Sequence, residues 1–229
     1  PVNYVLPPGI VQEVDPSQTF QRLLNEQSLS LEVCDLQDGD ARAAYRNVQF
    51  DVRNYKKLKM FVHAEEVDPS KPLDDDELSM FIRLGTDFTD NYYEYEIPLK
   101  TTTWGSNLDT DVWPEENFVE IVFEDLLNIK KQRNKLISDG NTSISYVVEY
   151  AKNDPANKDR IIRVKGSPNL QGLKTIMIGI RNPHVNSHTL DTWDEDGQPK
   201  CAAVWVNELR LSDFLSSGGS AAIAQMQVQ

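Results

Sequence analysis

Two segments constrain the fold more than any other part of the chain. They are Thr175-Ile176-Met177-Ile178-Gly179-Ile180-Arg181-Asn182-Pro183 and Ala202-Ala203-Val204-Trp205-Val206-Asn207-Glu208-Leu209-Arg210-Leu211. Both are short apolar runs rich in residues that suit a pleated surface, so both read as strands. The first is apolar on both faces, as a strand in the middle of a sheet must be. The second interrupts its apolar run with a single Asn207-Glu208 step. A late strand of that kind closes a jelly-roll sandwich, pairing with strands far away in sequence.

Other segments fit the same architecture. From Ser28 to Cys34, Leu29, Leu31 and Val33 alternate with Ser30 and Glu32, the period of a half-buried strand. Leu58 to Ala64 is a second strand. Leu78 to Leu84 and Tyr92 to Leu99 flank the turn Gly85 to Asn91 and read as a hairpin. Short strands at Tyr146 to Tyr150 and Ile161 to Val164 lie either side of the Asp154-Pro155 turn. One amphipathic helix is predicted from about Glu124 to Leu136, with acidic residues early and basic residues late, as the helix dipole favours. The expected fold is therefore all-β, a jelly-roll-like β-sandwich with a helical insertion. Its expected organisation is an extended lead-in over residues 1–26, the sandwich over 27–214, and a hinge with the start of a truncated strand over 215–229.

The 229 residues are enough for one large all-β domain or two small ones. The formal charge of -13, from 36 acidic and 23 basic residues, argues against a nucleic-acid surface, which must displace counterions with a basic patch. It also argues against docking on anionic lipid heads. No run approaches the roughly 18 apolar residues of a membrane helix. No Gly-x-Ser-x-Gly, phosphate loop or His-Glu-x-x-His occurs, so no enzyme activity is expected. Cys34 and Cys201 allow one pairing, but two reduced buried thiols is the preferred reading.

Two groups of residues are candidate sites. Tyr92, Tyr93, Tyr95, Trp104 and Trp113 cluster around one hairpin and its exit, and exposed aromatic rings stack on sugars or peptides. Core filling is the competing explanation for them. Asp191, Asp194 and Asp196, around Trp193 and before Gly197, have carboxylates dense enough for a calcium ion. The acidic stretch Asp74-Asp75-Asp76-Glu77 reads as a solvated loop. His184 and His188 are four apart, but Pro183, Asn186 and Ser187 make that segment a loop and not a helix that would aim both at one metal.

Several longer segments resemble a known family. Asn3-Tyr4-Val5-Leu6-Pro7-Pro8-Gly9-Ile10, Asp51-Val52-Arg53-Asn54-Tyr55-Lys56, Asp90-Asn91-Tyr92-Tyr93-Glu94-Tyr95-Glu96-Ile97-Pro98-Leu99 and the two segments quoted first are similar to the SprA (Sov) family of the Bacteroidetes. That family comprises very large outer-membrane β-barrel translocons of the type IX secretion system, needed for protein export and gliding motility. The resemblance implies a soluble, non-catalytic module inserted between barrel segments, on the cell-surface or periplasmic face. Such a module would cap the pore or contact other translocon subunits and secreted cargo proteins. The alternation from Ala222 to Gln229 would then be the start of a barrel strand. The alternative expectation is a carbohydrate-binding module that takes a glycan and holds a structural calcium.

Overall fold

The computed structural model describes residues 1–12, 28–184 and 197–215. Within them the chain forms β1 (Leu29–Leu36), β2 (Ala41–Phe50), β3 (Tyr55–Glu66), β4 (Ser79–Gly85), β5 (Tyr92–Pro98), β6 (Val119–Val122), β7 (Tyr150–Asn153), β8 (Ile161–Lys165), β9 (Leu173–Arg181) and β10 (Lys200–Phe214). Two helices, the single turn α1 (Asp109–Val112) and the longer α2 (Phe123–Ser138), lie between β5 and β7. One sheet has the order β1-β10-β3-β6 and the other β2-β9-β4-β5-β8-β7, every pairing antiparallel. The chain crosses between sheets at six of its nine strand-to-strand steps, and the first described strand pairs with the last. That wiring is a jelly roll, with α2 and the β7–β8 pair inserted between β6 and β9.

The core lies between the sheets. Met60 and Val62 of β3 and Val204 and Val206 of β10 meet Ile82 of β4, Tyr93 and Ile97 of β5, and Ile178 and Ile180 of β9. Strand β9 sits between β2 and β4, which accounts for its apolar residues on both faces. Helix α2 covers one end of the core with Phe123, Leu126 and Ile129, spaced three apart along one stripe.

The Asn207-Glu208 step proves to be a β-bulge. The ladder between β10 and β3 shifts register between Asn207 and Arg210, and Glu208 takes φ 54°. The Asn207 side chain stabilises the kink. Its Oδ1 accepts from the Glu208 amide at 2.8 Å, and its Nδ2 donates to the Tyr4 hydroxyl at 2.7 Å.

Three local expectations differ from the structure. Strands β2 and β6 are not marked in the sequence. Ala-Arg-Ala-Ala-Tyr-Arg in β2 lacks a β-branched alternation, and this edge strand is fixed by its backbone ladder to β9. The strand expected at Tyr146 instead begins at Tyr150. The Asp154-Pro155 turn fixes the register of β7 on β8, and the ladder ends at Tyr150 opposite Val164. Cys34 and Cys201 are not two thiols but one disulfide. Register explains the pairing, because β1 and β10 are neighbours and Val33 lies opposite Ala202.

The far face of the β1-β10-β3-β6 sheet is also covered. Val2, from the start of the chain, packs with Val112 and Trp113 against Phe61 and Trp205. His63 is fully buried between the two tryptophan rings, 4.1 Å from Trp205 and 6.1 Å from Trp113, centre to centre. Its Nδ1 donates to the Val112 carbonyl at 2.8 Å. Burial pulls the imidazole down to about 4 from its usual 6.5, against the smaller opposing effect of that hydrogen bond.

Two predictions follow from this packing. The disulfide closes a loop of 167 residues, so replacing both cysteines with alanine should lower the unfolding free energy by about 2–5 kcal/mol. Chemical denaturation of the double variant checks this. Protonating His63 in the folded state is disfavoured, so its contribution to stability is present above pH 6.5 and is lost as the pH falls toward 4. In His63→Asn the part of the stability–pH curve that begins near 6.5 should flatten.

Candidate functional site

Strand β5 is buried on both faces, although its sequence alternates aromatic and acidic residues. Tyr93, Tyr95 and Ile97 enter the core. Tyr92, Glu94 and Glu96 point the other way, onto the outer face of the six-stranded sheet. Register sets arginines beside them. Arg83 of β4 and Arg163 of β8 lie opposite Glu94 on either side, and Arg181 lies one strand further across, at the end of β9.

The result is a layer of three guanidinium groups over two buried carboxylates, with the half-exposed Glu149 as a third carboxylate at its edge, 3.8 Å from Arg83 and from Arg163. Both Glu94 and Glu96 are fully shielded from solvent, at 0% exposure. Arg83 Nε donates to Glu94 at 2.5 Å, Arg163 Nη1 at 2.8 Å and Arg181 Nη1 at 3.1 Å. Glu96 receives Arg163, Arg181 and the Ser79 hydroxyl. Burial works against ionisation of Glu94, but Arg181, Arg163 and Arg83 together outweigh it and hold the carboxyl at about 2. A carboxylate so strongly stabilised is a poor general base, since proton transfer works best near the operating pH. What this layer does is lock β4, β5, β8 and β9 side by side and present guanidinium edges at its rim.

The Gly-Ile-Arg-Asn-Pro run of β9 belongs to this face. A Cβ on Gly179 would sit 2.5 Å from the tip of the Phe81 ring and 2.7 Å from Ala43 Cβ. Glycine therefore lets Phe81 lie flat across β9, where the Arg181 guanidinium covers it at 4.6 Å from the ring centre. Asn182 then ties the β1–β2 turn to the β9–β10 connection. Its Nδ2 donates to the Leu36 and Gln198 carbonyls at 3.0 and 2.8 Å, and its backbone pairs with Gly39 and Asp40. Beyond the buried layer the face is open among the described residues. Tyr45 of β2 is 57% exposed and stacks on Phe88 at 4.6 Å, and Met177 stands between Tyr45 and Arg83 in the register.

The five aromatic residues expected to form a stacking platform do not share a face. Tyr93 and Tyr95 are in the core, and Tyr92 lies beneath Arg83, 4.2 Å from its guanidinium. Trp113 is buried in the second cluster, donating its indole N–H to the Val5 carbonyl at 2.9 Å. Trp104 alone is exposed, and its indole is tied to the Glu66 carbonyl at 2.9 Å. Asp191, Asp194 and Asp196 lie outside the described residues, as does His188. Among the described residues, only Cys34, Asp35 and Cys201 bring three ligand atoms within 4.8 Å, and the disulfide removes both thiols as ligands. The Asp74–Glu77 acids are engaged locally: Asp75 accepts from the Thr101 amide, Asp76 pairs with Lys100 and Glu77 with Lys200.

A family model described as "Motility related/secretion protein", SprA_N, matches residues 1–229. The chain belongs to the SprA_N family. A comparison with curated proteins returns no match. The segments that carry the earlier resemblance can now be read as the parts of SprA_N that build this fold. Tyr92 to Pro98 supplies core and charged layer at once, Gly179 to Asn182 supplies the Phe81 seat and the loop clamp, and Asn207-Glu208 supplies the bulge. The charged layer itself is barely visible in sequence. Its one signal is two glutamates spaced two apart in a strand otherwise fit for burial, which requires buried cations on neighbouring strands.

Removing one partner leaves buried charge uncompensated, so Glu94→Gln should cost about 3–5 kcal/mol in chemical denaturation. The Glu94 carboxyl lies below its unfolded value of 4.5, so its contribution is present above that pH and is lost as the pH falls toward about 2. An acid titration of stability should show this loss in the wild type and not in the glutamine variant. Gly179→Ala should destabilise by about 1–3 kcal/mol through overpacking against Phe81.

Proposed function

We propose that this SprA_N chain is a non-catalytic jelly-roll module of an outer-membrane protein translocon of the SprA kind. It works in type IX protein secretion and gliding motility by capping the pore or by contacting other translocon subunits or secreted cargo proteins. The single observation that carries the reading is the composition of the outer face of the six-stranded sheet. Tyr45, Phe88, Met177 and the rims of Arg83 and Arg181 lie together there, and aromatic residues, methionine and arginine are the types enriched where proteins bind one another. The layer beneath is rigid, which lowers the ordering cost of a contact.

One further feature supports an extracytoplasmic place. A disulfide between strands far apart in sequence is typical of oxidising compartments.

Photo-cross-linking in cells tests the proposal. A photoreactive residue at Tyr45 or Met177 of the intact parent should capture a translocon subunit or a secreted protein, identified by mass spectrometry. Capture of neither from both positions, in cells that still secrete, would sink the reading. Tyr45→Ala should impair secretion or gliding while leaving the melting temperature within a few degrees of the wild type, as a substitution at an exposed position does.

A further inference from the structure

A second concave surface lies at the opposite end of the core from the disulfide, between α2 and the start of β3. It is a cavity of about 570 Å³, the size of a small-ligand site. Its lining is unlike the rest of this acidic chain. Five cationic side chains border it, Arg53, Lys56, Lys57, Lys130 and Lys131, against one carboxylate, Glu124. The remaining walls are largely apolar, with Phe123, Leu127 and Leu215 among them, and Leu127 and Leu215 are each 41% exposed.

Three independent features make this cavity a receptor for negative charge. The first is its basic rim. Arg53 and Lys57 are already paired, with Asp51 and with Glu120, and Lys130 is held by the Pro168 carbonyl at 2.7 Å. Lys56 and Lys131 carry no ion pair among the described residues. The second is the start of α2. The first turn of this 16-residue helix borders the cavity, and Val122 at its N-cap supplies no side-chain cap. Glu124 and Asp125 in that turn already answer part of the helix dipole, and the uncapped first-turn amides remain as donors to an anion. The third is Tyr93. Its ring borders the cavity, the residue is only 1% exposed, and its hydroxyl has no hydrogen-bond partner. A buried hydroxyl without a partner is costly, and a ligand oxygen would satisfy it.

We infer that this cleft binds a small anionic amphiphile, with its acid group between the lysines and the α2 N-terminus and its apolar body against Phe123, Leu127 and Leu215. The mixture of walls argues for both halves of the ligand. A bare anion would leave the exposed leucines in water, and a neutral apolar molecule would leave the lysines and the Tyr93 hydroxyl unused. The inference does not depend on the secretory reading, because it concerns the isolated chain and its own cleft.

Calorimetry on the full chain tests it with three probes: octanoate, octanol and inorganic phosphate. Octanoate should bind at a single site and at least about tenfold more tightly than either of the others, the scale of one charge-assisted hydrogen bond. Lys56→Glu with Lys131→Glu, both at exposed positions, should abolish octanoate binding without changing the melting temperature. Tyr93→Phe should weaken octanoate several-fold more than octanol, whose neutral hydroxyl accepts a weaker hydrogen bond than a carboxylate does, a split that loss of packing alone would not produce. Absence of octanoate binding, equal affinity for octanol, equal affinity for phosphate, or full binding by the charge-reversed variant would each overturn the inference. If Tyr93→Phe fails to fold, the charge-reversed pair decides alone.

Discussion

Strand β10 pairs with β1 on one side and β3 on the other, and a disulfide joins it to β1 as well. Without that insertion the four-stranded sheet would split into an isolated first strand and a β3–β6 ribbon, and the core would lose one wall. The residues it joins lie more than 130 positions apart, so the loop-closure entropy is large and must be met before the core can form. The fold therefore depends on the last described strand finding the first. Its apolar inward side, the Asn207 bulge that bends it, and the covalent bond at Cys201 all serve that pairing.

The two sheets solve different problems on their outer faces. The four-stranded sheet covers its back with the start of the chain and the loop around Trp113, making a small apolar cluster around a neutral histidine. Among the described residues the six-stranded sheet has no such cover. It fills its outer face with arginines laid over buried glutamates, a layer in which the charges neutralise each other and satisfy each other's hydrogen bonds. Replacing a whole buried ion pair with apolar residues is often neutral for stability, whereas removing one partner is costly. Here they tie four neighbouring strands into one arrangement and leave a rigid surface edged with guanidinium and aromatic groups.

Surface charge is distributed unevenly around this frame. The chain as a whole is strongly acidic, yet the cleft beside α2 is basic. A net charge of -13 keeps such a protein soluble and repels anions at long range. A local basic cavity within it is then selective, because only a ligand that reaches the cavity meets attraction.

Much of the frame was legible in sequence. The strands at Leu78 to Leu84, Tyr92 to Leu99, Thr175 to Arg181 and Ala202 to Leu211, and the helix near Glu124 to Leu136, follow from periodicity, because burial on one or two faces imposes a repeat of two or 3.6 residues. Strands β2 and β6 were not legible, because an edge strand and a four-residue strand are held by backbone ladders that leave little trace in side-chain pattern. The sites were less legible still. Tyr92, Tyr93 and Tyr95 are adjacent in sequence but divide between the outer face and the core, and Trp113 is claimed by a cluster that includes Val2. The pairing of Cys34 with Cys201, the meeting of Arg83, Arg163 and Arg181 over Glu94, and the joining of Lys56 to Lys131 across one cleft all bring together residues from distant strands. Sequence by itself determined that the chain is a β-sandwich of the SprA_N type, since local periodicity and the family segments are written along the chain. Tertiary structure alone decided which charges meet and which faces stay open, since those depend on register between strands, which no single strand specifies.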